Sequence, residues 1–147
     1  MKSLTKDFEK WDNKKKKLVK KVPLACLKHL QKESPVLTGR YRAAHTLSID
    51  SPDDWIPNDL GLNEKKAIID RNKKLSPESR TAHSSYSNKA AERFDSASRK
   101  LTGLEINKKI TIYLQNNLEY ALHVEARDSI YGIIEERFDR YVRENLR

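Results

Sequence analysis

A single cysteine, Cys26, stands among the 147 residues. The chain can therefore form no internal disulfide and no cysteine-based zinc centre, and a reducing compartment suits it. Four histidines are present, none paired with another at the spacing that metal ligands on one helix or strand require. Glycine is scarce at four residues, and no glycine-rich phosphate loop or nucleophile elbow can be found. No apolar run approaches the roughly 18 residues of a membrane span. The first residues, Met1 to Asp7, hold no apolar stretch, so no secretory leader is expected. Apolar residues are 37% and charged residues 35% of the chain. That is polar for one domain of this length, which predicts exposed arms or subunit contacts rather than a large core.

What is abundant is lysine, and it is unevenly placed. Residues 1–32 hold eleven lysines and three acids, Asp7, Glu9 and Asp12, so this stretch carries +8 of the net +9. On a helical wheel Leu4, Phe8, Trp11, Leu18, Val19 and Val22 fall in one apolar arc, with Lys6, Lys10, Lys14, Lys17, Lys20 and Lys21 opposite. Lys15 falls inside the arc, where its stem can snorkel. Trp11 is expected in the core. Pro23 removes a backbone donor, but the stripe resumes at Cys26 and Leu30, which predicts a kink rather than a stop. Cys26 is then a buried packing residue. The lysines form either a solvated face or a surface for phosphate or acidic partners.

Ser34-Pro35 ends this helix, and Gly39 supplies a permissive backbone for a sharp turn. Thr46 to Ile49 alternates as a strand does. Residues 51–85 lack a consistent period and read as an irregular excursion that orders only against a neighbour, with a short helix near Leu60 to Ile69. From Ser87 the helical period returns, with Ala90, Ala91, Phe94, Ala97 and Leu101 on one face and Gly103 at its end. Lys109 to Leu114 is the clearest strand. Asn116-Asn117 marks a turn, and Tyr120 to Glu125 alternates again, which predicts an antiparallel hairpin over 109–125. In it His123 and Glu125 share a face and can pair. Ile133, Ile134, Phe138, Tyr141, Val142 and Leu146 form the stripe of a last helix. The expected architecture is a single domain, 1–147, of the α+β class. A small antiparallel sheet is packed by a long basic amphipathic N-terminal helix (1–33), a middle helix and a C-terminal helix.

No catalytic constellation emerges. Glu135 and Glu136 are neighbours on a helix and point apart. Arg40 and Arg42 flank Tyr41 as a phosphate-reading patch does, or as intersubunit ion pairs do.

Two stretches together resemble a known family. The first is Ser34-Pro35-Val36-Leu37-Thr38-Gly39-Arg40-Tyr41-Arg42-Ala43, followed by a strand. The second is Ile110-Thr111-Ile112-Tyr113-Leu114-Gln115-Asn116-Asn117-Leu118-Glu119-Tyr120-Ala121, with Val124-Glu125 and then Tyr131-Gly132-Ile133-Ile134. In this order they are similar to the neck or tail-completion proteins of tailed bacteriophages, the head–tail joining family. The motif positions are Thr38, Gly39, Arg40, Asn116, Asn117, Tyr120, Ala121, Glu125 and Gly132. The sequence departs from the family at His45, where a Trp is common, and at Arg127, where a Gly is. The stretch from Asp128 to Gly132 is also shorter.

The resemblance implies a non-enzymatic structural virion protein, without cofactor or membrane. It would be assembled in the host cytoplasm into a sixfold or twelvefold ring at the neck. Its partners there would be further copies of itself, portal or connector and tail proteins, and the DNA passing through. Lys10, Lys14, Lys17, Lys21, Arg40 and Arg42 are the candidate interface or DNA-facing residues. The alternative is a lysine-rich DNA-binding protein acting through the N-terminal helix. A small nuclease or toxin-like enzyme lacks the residues it would need.

Overall fold

The computed structural model describes residues 2–106 and 109–146, with side chains described over 13–106 and 109–145. The chain runs through α1 (Lys2–Glu33), α2 (Arg40–Ala43), β1 (His45–Ile49), α3 (Leu62–Lys73), a 3-10 turn (Pro77–Ser79) and α4 (Ser84–Thr102). It continues through β2 (Ile112–Asn116), α5 (Ala121–Asp128) and α6 (Ile130–Leu146). The class is α+β with a small antiparallel sheet, as expected. β1 and β2 are its two strands, in a register that pairs Leu47 with Leu114 and Ile49 with Ile112. Asp50 extends the ladder in a left-handed conformation at φ 64°. Its amide donates to Thr111 O at 2.7 Å and its carboxylate accepts from Thr111 N at 3.1 Å.

The first helix continues unbroken through Pro23. Its apolar stripe becomes two faces of packing. Val22, Cys26 and Leu30 meet Ile130 and Ile134 of α6, while Leu27 meets Leu47 of β1 and Ala97 and Leu101 of α4. Burial pushes the Cys26 thiol up, as befits an inert core residue. The stripe on α6 is shifted from the sequence reading: Ile130 and Ile134 are buried and Phe138 is 48% exposed. On α4, Ala90, Ala97 and Leu101 are buried but Ala91 is exposed. That helix begins three residues earlier than the period suggests, because His83 Nδ1 accepts from Ser85 N and caps it. The side chains of Leu4, Lys6, Phe8, Lys10 and Trp11 lie outside the described residues.

Two expectations are corrected. The hairpin over 109–125 does not form. The strand spans 112–116, and Tyr120–Glu125 belongs to a turn and to α5. Alternation at Tyr120, Leu122 and Val124 is misleading, because Leu122 is 83% exposed. The working set is Leu118, Ala121 and Val124, at spacings of three, packed on Tyr41 and Ala44. His123 and Glu125 are therefore two apart on a helix and do not face one another. The second correction concerns 51–85, which orders within the chain. Fully buried Asn72 of α3 donates from Nδ2 to Leu37 O at 2.6 Å and to Thr81 O at 2.9 Å, and its Oδ1 accepts from Thr81 N. One amide thus pins α3 to the segments before β1 and before α4.

Gly39 has the backbone that the turn requires, φ 97°. A Cβ built there would lie 2.3 Å from Ala82 Cβ. The segments before α2 and before α4 are drawn together here by His83 N donating to Thr38 O at 2.8 Å. Gly39→Val combines the left-handed penalty with a steric overlap and is expected to destabilise the fold by roughly 2–5 kcal/mol. A chemical-denaturation midpoint equal to that of the parent would contradict this.

Candidate functional site

The two motif stretches fold onto one another around Tyr41. Asn116 Nδ2 donates to Tyr41 O at 3.0 Å, and its Oδ1 accepts from Leu118 N, holding the turn after β2. Asn117 Nδ2 donates to Asp53 O at 2.7 Å and Trp55 O at 3.2 Å, anchoring the extended segment after β1. The ring of Tyr120 lies 6.4 Å from that of Tyr41, and Ala121 packs on the same cluster. Burial, with Glu125 and Asp128 nearby, pushes the Tyr41 phenol up to about 12.

Glu125 meets Gly132, the last motif position. Its two carboxylate oxygens accept from Tyr131 N at 2.9 Å and Gly132 N at 3.0 Å. These are first-turn donors of α6 that no helical carbonyl can reach, and a carboxylate there is also favoured by the helix dipole. Ser129, left-handed at φ 50°, is the single residue that turns α5 into α6. Gly132 itself needs no glycine. A Cβ there would make ordinary contacts of 3.6 Å to Ser129 and 3.7 Å to Glu125.

Beneath this lies a buried polar chain that sequence reasoning missed. His45 is fully buried. Its Nε2 is 2.6 Å from Ser34 Oγ and its Nδ1 is 3.0 Å from Tyr131 Oη. Ser34 Oγ also donates to Leu30 O. A hydroxyl has one proton and a carbonyl has none, so Ser34 must accept from the ring. The imidazole is therefore the Nε2–H tautomer, and Tyr131 donates to Nδ1. Burial, reinforced by Arg42, lowers His45 to about 3 from 6.5. Burial also raises the Tyr131 phenol, so both rings stay neutral. A serine beside a histidine suggests a nucleophile and its base. Here the serine proton is committed to a carbonyl, and Ser34 and His45 are both buried. The arrangement is structural. The only sign of it in the sequence was His45 at a position where the resembling family has Trp.

On the surface above Tyr41 lies a cleft of about 370 Å³, bounded by the 35–41 turn, α3 and α5. Its floor is apolar, with Val36, Leu37, Ile69 and Val124, and Tyr120 borders it. Arg40, Lys65, Arg80 and Arg127 also line it, against one lining carboxylate, Asp59. Arg40 is held by two bonds to Pro57 O, at 2.9 and 3.1 Å. Arg42 turns elsewhere: it is half-buried with a long 3.5 Å contact to Ser34 O. The two arginines therefore do not form one patch. Thr38 supports the turn, its Oγ1 accepting from Arg40 N at 3.2 Å. Of the lysines, Lys14 and Lys21 are exposed and Lys17 is half-buried. The side chain of Lys10 lies outside the described residues.

No protein-family model, curated protein or solved structure matches the chain. Among the described residues no group of histidine, cysteine or carboxylate side chains is arranged to hold a metal ion. Nor, among the described residues, is any helix long and apolar enough to cross a membrane.

The buried histidine has a consequence for stability. Its pKa is lower folded than unfolded, so as pH falls through 6.5 toward 3 the unfolded chain takes up a proton that the folded chain refuses. Its contribution is complete above the unfolded value and is lost as pH falls, with a slope of up to about 1.4 kcal/mol per pH unit. Denaturation between about pH 5 and 7 is expected to show this slope in the parent and to lose it in His45→Gln. Identical pH profiles for the two proteins would contradict it.

Proposed function

We propose that this chain is a structural virion protein of a tailed bacteriophage, a non-enzymatic subunit of a neck ring that joins the head, at its portal or connector, to the tail. The observation that carries the reading is the meeting of the two motif stretches. Residues about 75 apart in sequence, Tyr41 and Asn116, are bonded directly, and Glu125 braces the helix that contains Gly132. The residues of the resemblance thus act on one another as one structural unit, and do not fall at scattered points of the surface.

The surface supports the same reading. Leu62 is 86% exposed, and Leu122, Phe138, Leu37 and Tyr120 also present apolar area to solvent. A second groove, between α1, β2 and α6, is lined by apolar side chains, among them Leu18, Val22, Ile112, Phe138 and Val142. Unfilled apolar surface of this kind marks interaction sites, and repeated head-to-tail contacts close into rings when the rotation closes. The lysine face of α1 meets solvent or a subunit seam in this account. A lumen lined with so many cations would hold DNA phosphates and slow its passage.

Negative-stain electron microscopy with sedimentation analysis of the purified chain tests the proposal. Closed rings of sixfold or twelvefold symmetry are expected. A monomer at every concentration that shifts onto duplex DNA with steep salt dependence would contradict it and favour the DNA-binding alternative.

A further inference from the structure

The proposed ring requires two different surfaces on each subunit, one for each neighbour, and the structure offers a complementary pair. The receiving surface is the cleft over Tyr41. Its apolar lining leaves Leu37 and Tyr120 partly exposed, and Leu62 lies on the face of α3 that carries Lys65 and Ile69 to the cleft. Four cationic side chains line it. Two of them hold carboxylates of the same chain, Lys65 with Asp59 at 2.9 Å and Arg127 with Asp128 at 2.8 Å. Arg40 and Arg80 bond only backbone carbonyls, so the rim retains positive charge.

The complementary surface is the outer edge of α6. Glu135, Glu136 and Asp139 are exposed, and none makes an ion pair or hydrogen bond among the described residues. Helical spacing sets Glu135 beside Phe138, three residues on, and beside Asp139, four residues on, so the two carboxylates lie together on one side of the ring. Phe138 is the half-exposed aromatic of that helix. Arg137 and Arg140 share the helix, but Arg140 is bonded to Glu144 at 2.8 Å and Arg137 interacts with Tyr141.

The geometry points to a head-to-tail seam in which the α6 edge of one copy, Phe138 with Glu135 and Asp139 to one side of it, docks on the Tyr41 cleft of a second copy of this chain. The seam rests on the ring reading and gives it a specific interface. A cleft lined by apolar and cationic side chains matches an aromatic side chain with carboxylates beside it. It does not match a nucleic-acid backbone, which brings phosphates and nothing for Leu37, Ile69 or Val124 to cover. The two surfaces lie on different elements, so the contact is heterologous and leaves a free cleft on one copy and a free edge on the other for the next.

A charge-swap experiment on the full chain tests this. Lys65→Glu with Arg127→Glu, and separately Glu135→Lys with Asp139→Lys, are each expected to weaken self-association by about tenfold or more in sedimentation. The protein carrying all four changes is expected to regain most of that loss, while thermal melts track the fold of every variant. Rescue is the deciding result, because local damage by either pair alone would not be repaired by the other. If the parent assembles and neither pair weakens it, or the fourfold variant stays as weak as the doubles, the seam lies elsewhere and the ring reading survives. If the parent never assembles, both fail. If the first pair abolishes binding of a fluorescent DNA duplex and leaves assembly intact, the cleft is a phosphate site and the seam is overturned.

Discussion

A single buried hydrogen-bonded chain, from Tyr131 through His45 and Ser34 to the carbonyl of Leu30, joins three elements. It couples the end of α1, the start of β1 and the first turn of α6. Each link has a fixed direction: phenol to imidazole, imidazole to hydroxyl, hydroxyl to carbonyl. A neutral ring is needed for every step, and burial enforces it. Uncompensated polar groups at this depth would cost about 1–3 kcal/mol each, so loss of one partner is felt by the others. The outer motif residues are arranged around this chain. Tyr41 packs edge-on against His45 with ring centres 5.0 Å apart, Asn116 bonds the backbone of Tyr41, and Glu125 fixes the helix turn that carries Tyr131.

Much of the scaffold can be read from the sequence, because long amphipathic periods leave little choice. The first, fourth and last helices form where their apolar periods place them, though the buried stripe of α6 is shifted and Ala91 of α4 stays exposed, and the antiparallel β1–β2 pair sets Leu47, Ile49, Ile112 and Leu114 on one cluster. The misread segment is instructive. Tyr120 to Glu125 has both periods available: apolar residues at 120, 122 and 124 suit a strand, and Leu118, Ala121 and Val124 suit a helix. Only the presence of Tyr41 and Ala44 opposite decides for the helix, and that is a tertiary fact. The excursion over 51–85 was opaque for a similar reason. Its order comes from bonds distant in sequence: Asn117 and Arg40 hold its first half at Asp53, Trp55 and Pro57, and Asn72 reaches 35 residues back and nine forward. No local pattern announces such a bond. At the site, Gly39 was legible because a sharp reversal needs a left-handed residue. The tasks of Asn116 and Asn117 were legible only as a turn, although their amides also bind segments far away in sequence.

The same division applies to function. The charge asymmetry between the first helix and the rest is a property of composition, and it says that a basic arm exists without saying what it meets. The cleft over Tyr41 is a product of folding alone: Leu37, Ile69 and Val124 come from three separate segments, and Arg40, Lys65, Arg80 and Arg127 from four. In the proposed ring the α6 edge, an aromatic with exposed carboxylates to one side, has the chemistry to fill such a cleft. In this account the buried histidine chain holds α6 against α1 and so sets the edge relative to the cleft.

The central claim is therefore that His45 is a neutral Nε2–H imidazole locked between a phenol and a hydroxyl. Nitrogen-15 NMR of the histidine rings, followed from neutral pH down into the acid range, tests it most directly. The account predicts one ring in the Nε2–H tautomer that does not titrate through the ordinary histidine range near pH 6.5. It also predicts that this ring's nitrogen shifts change in Tyr131→Phe. Four rings that all titrate near that value, or an unshifted His45 when the Tyr131 hydroxyl is removed, would contradict it.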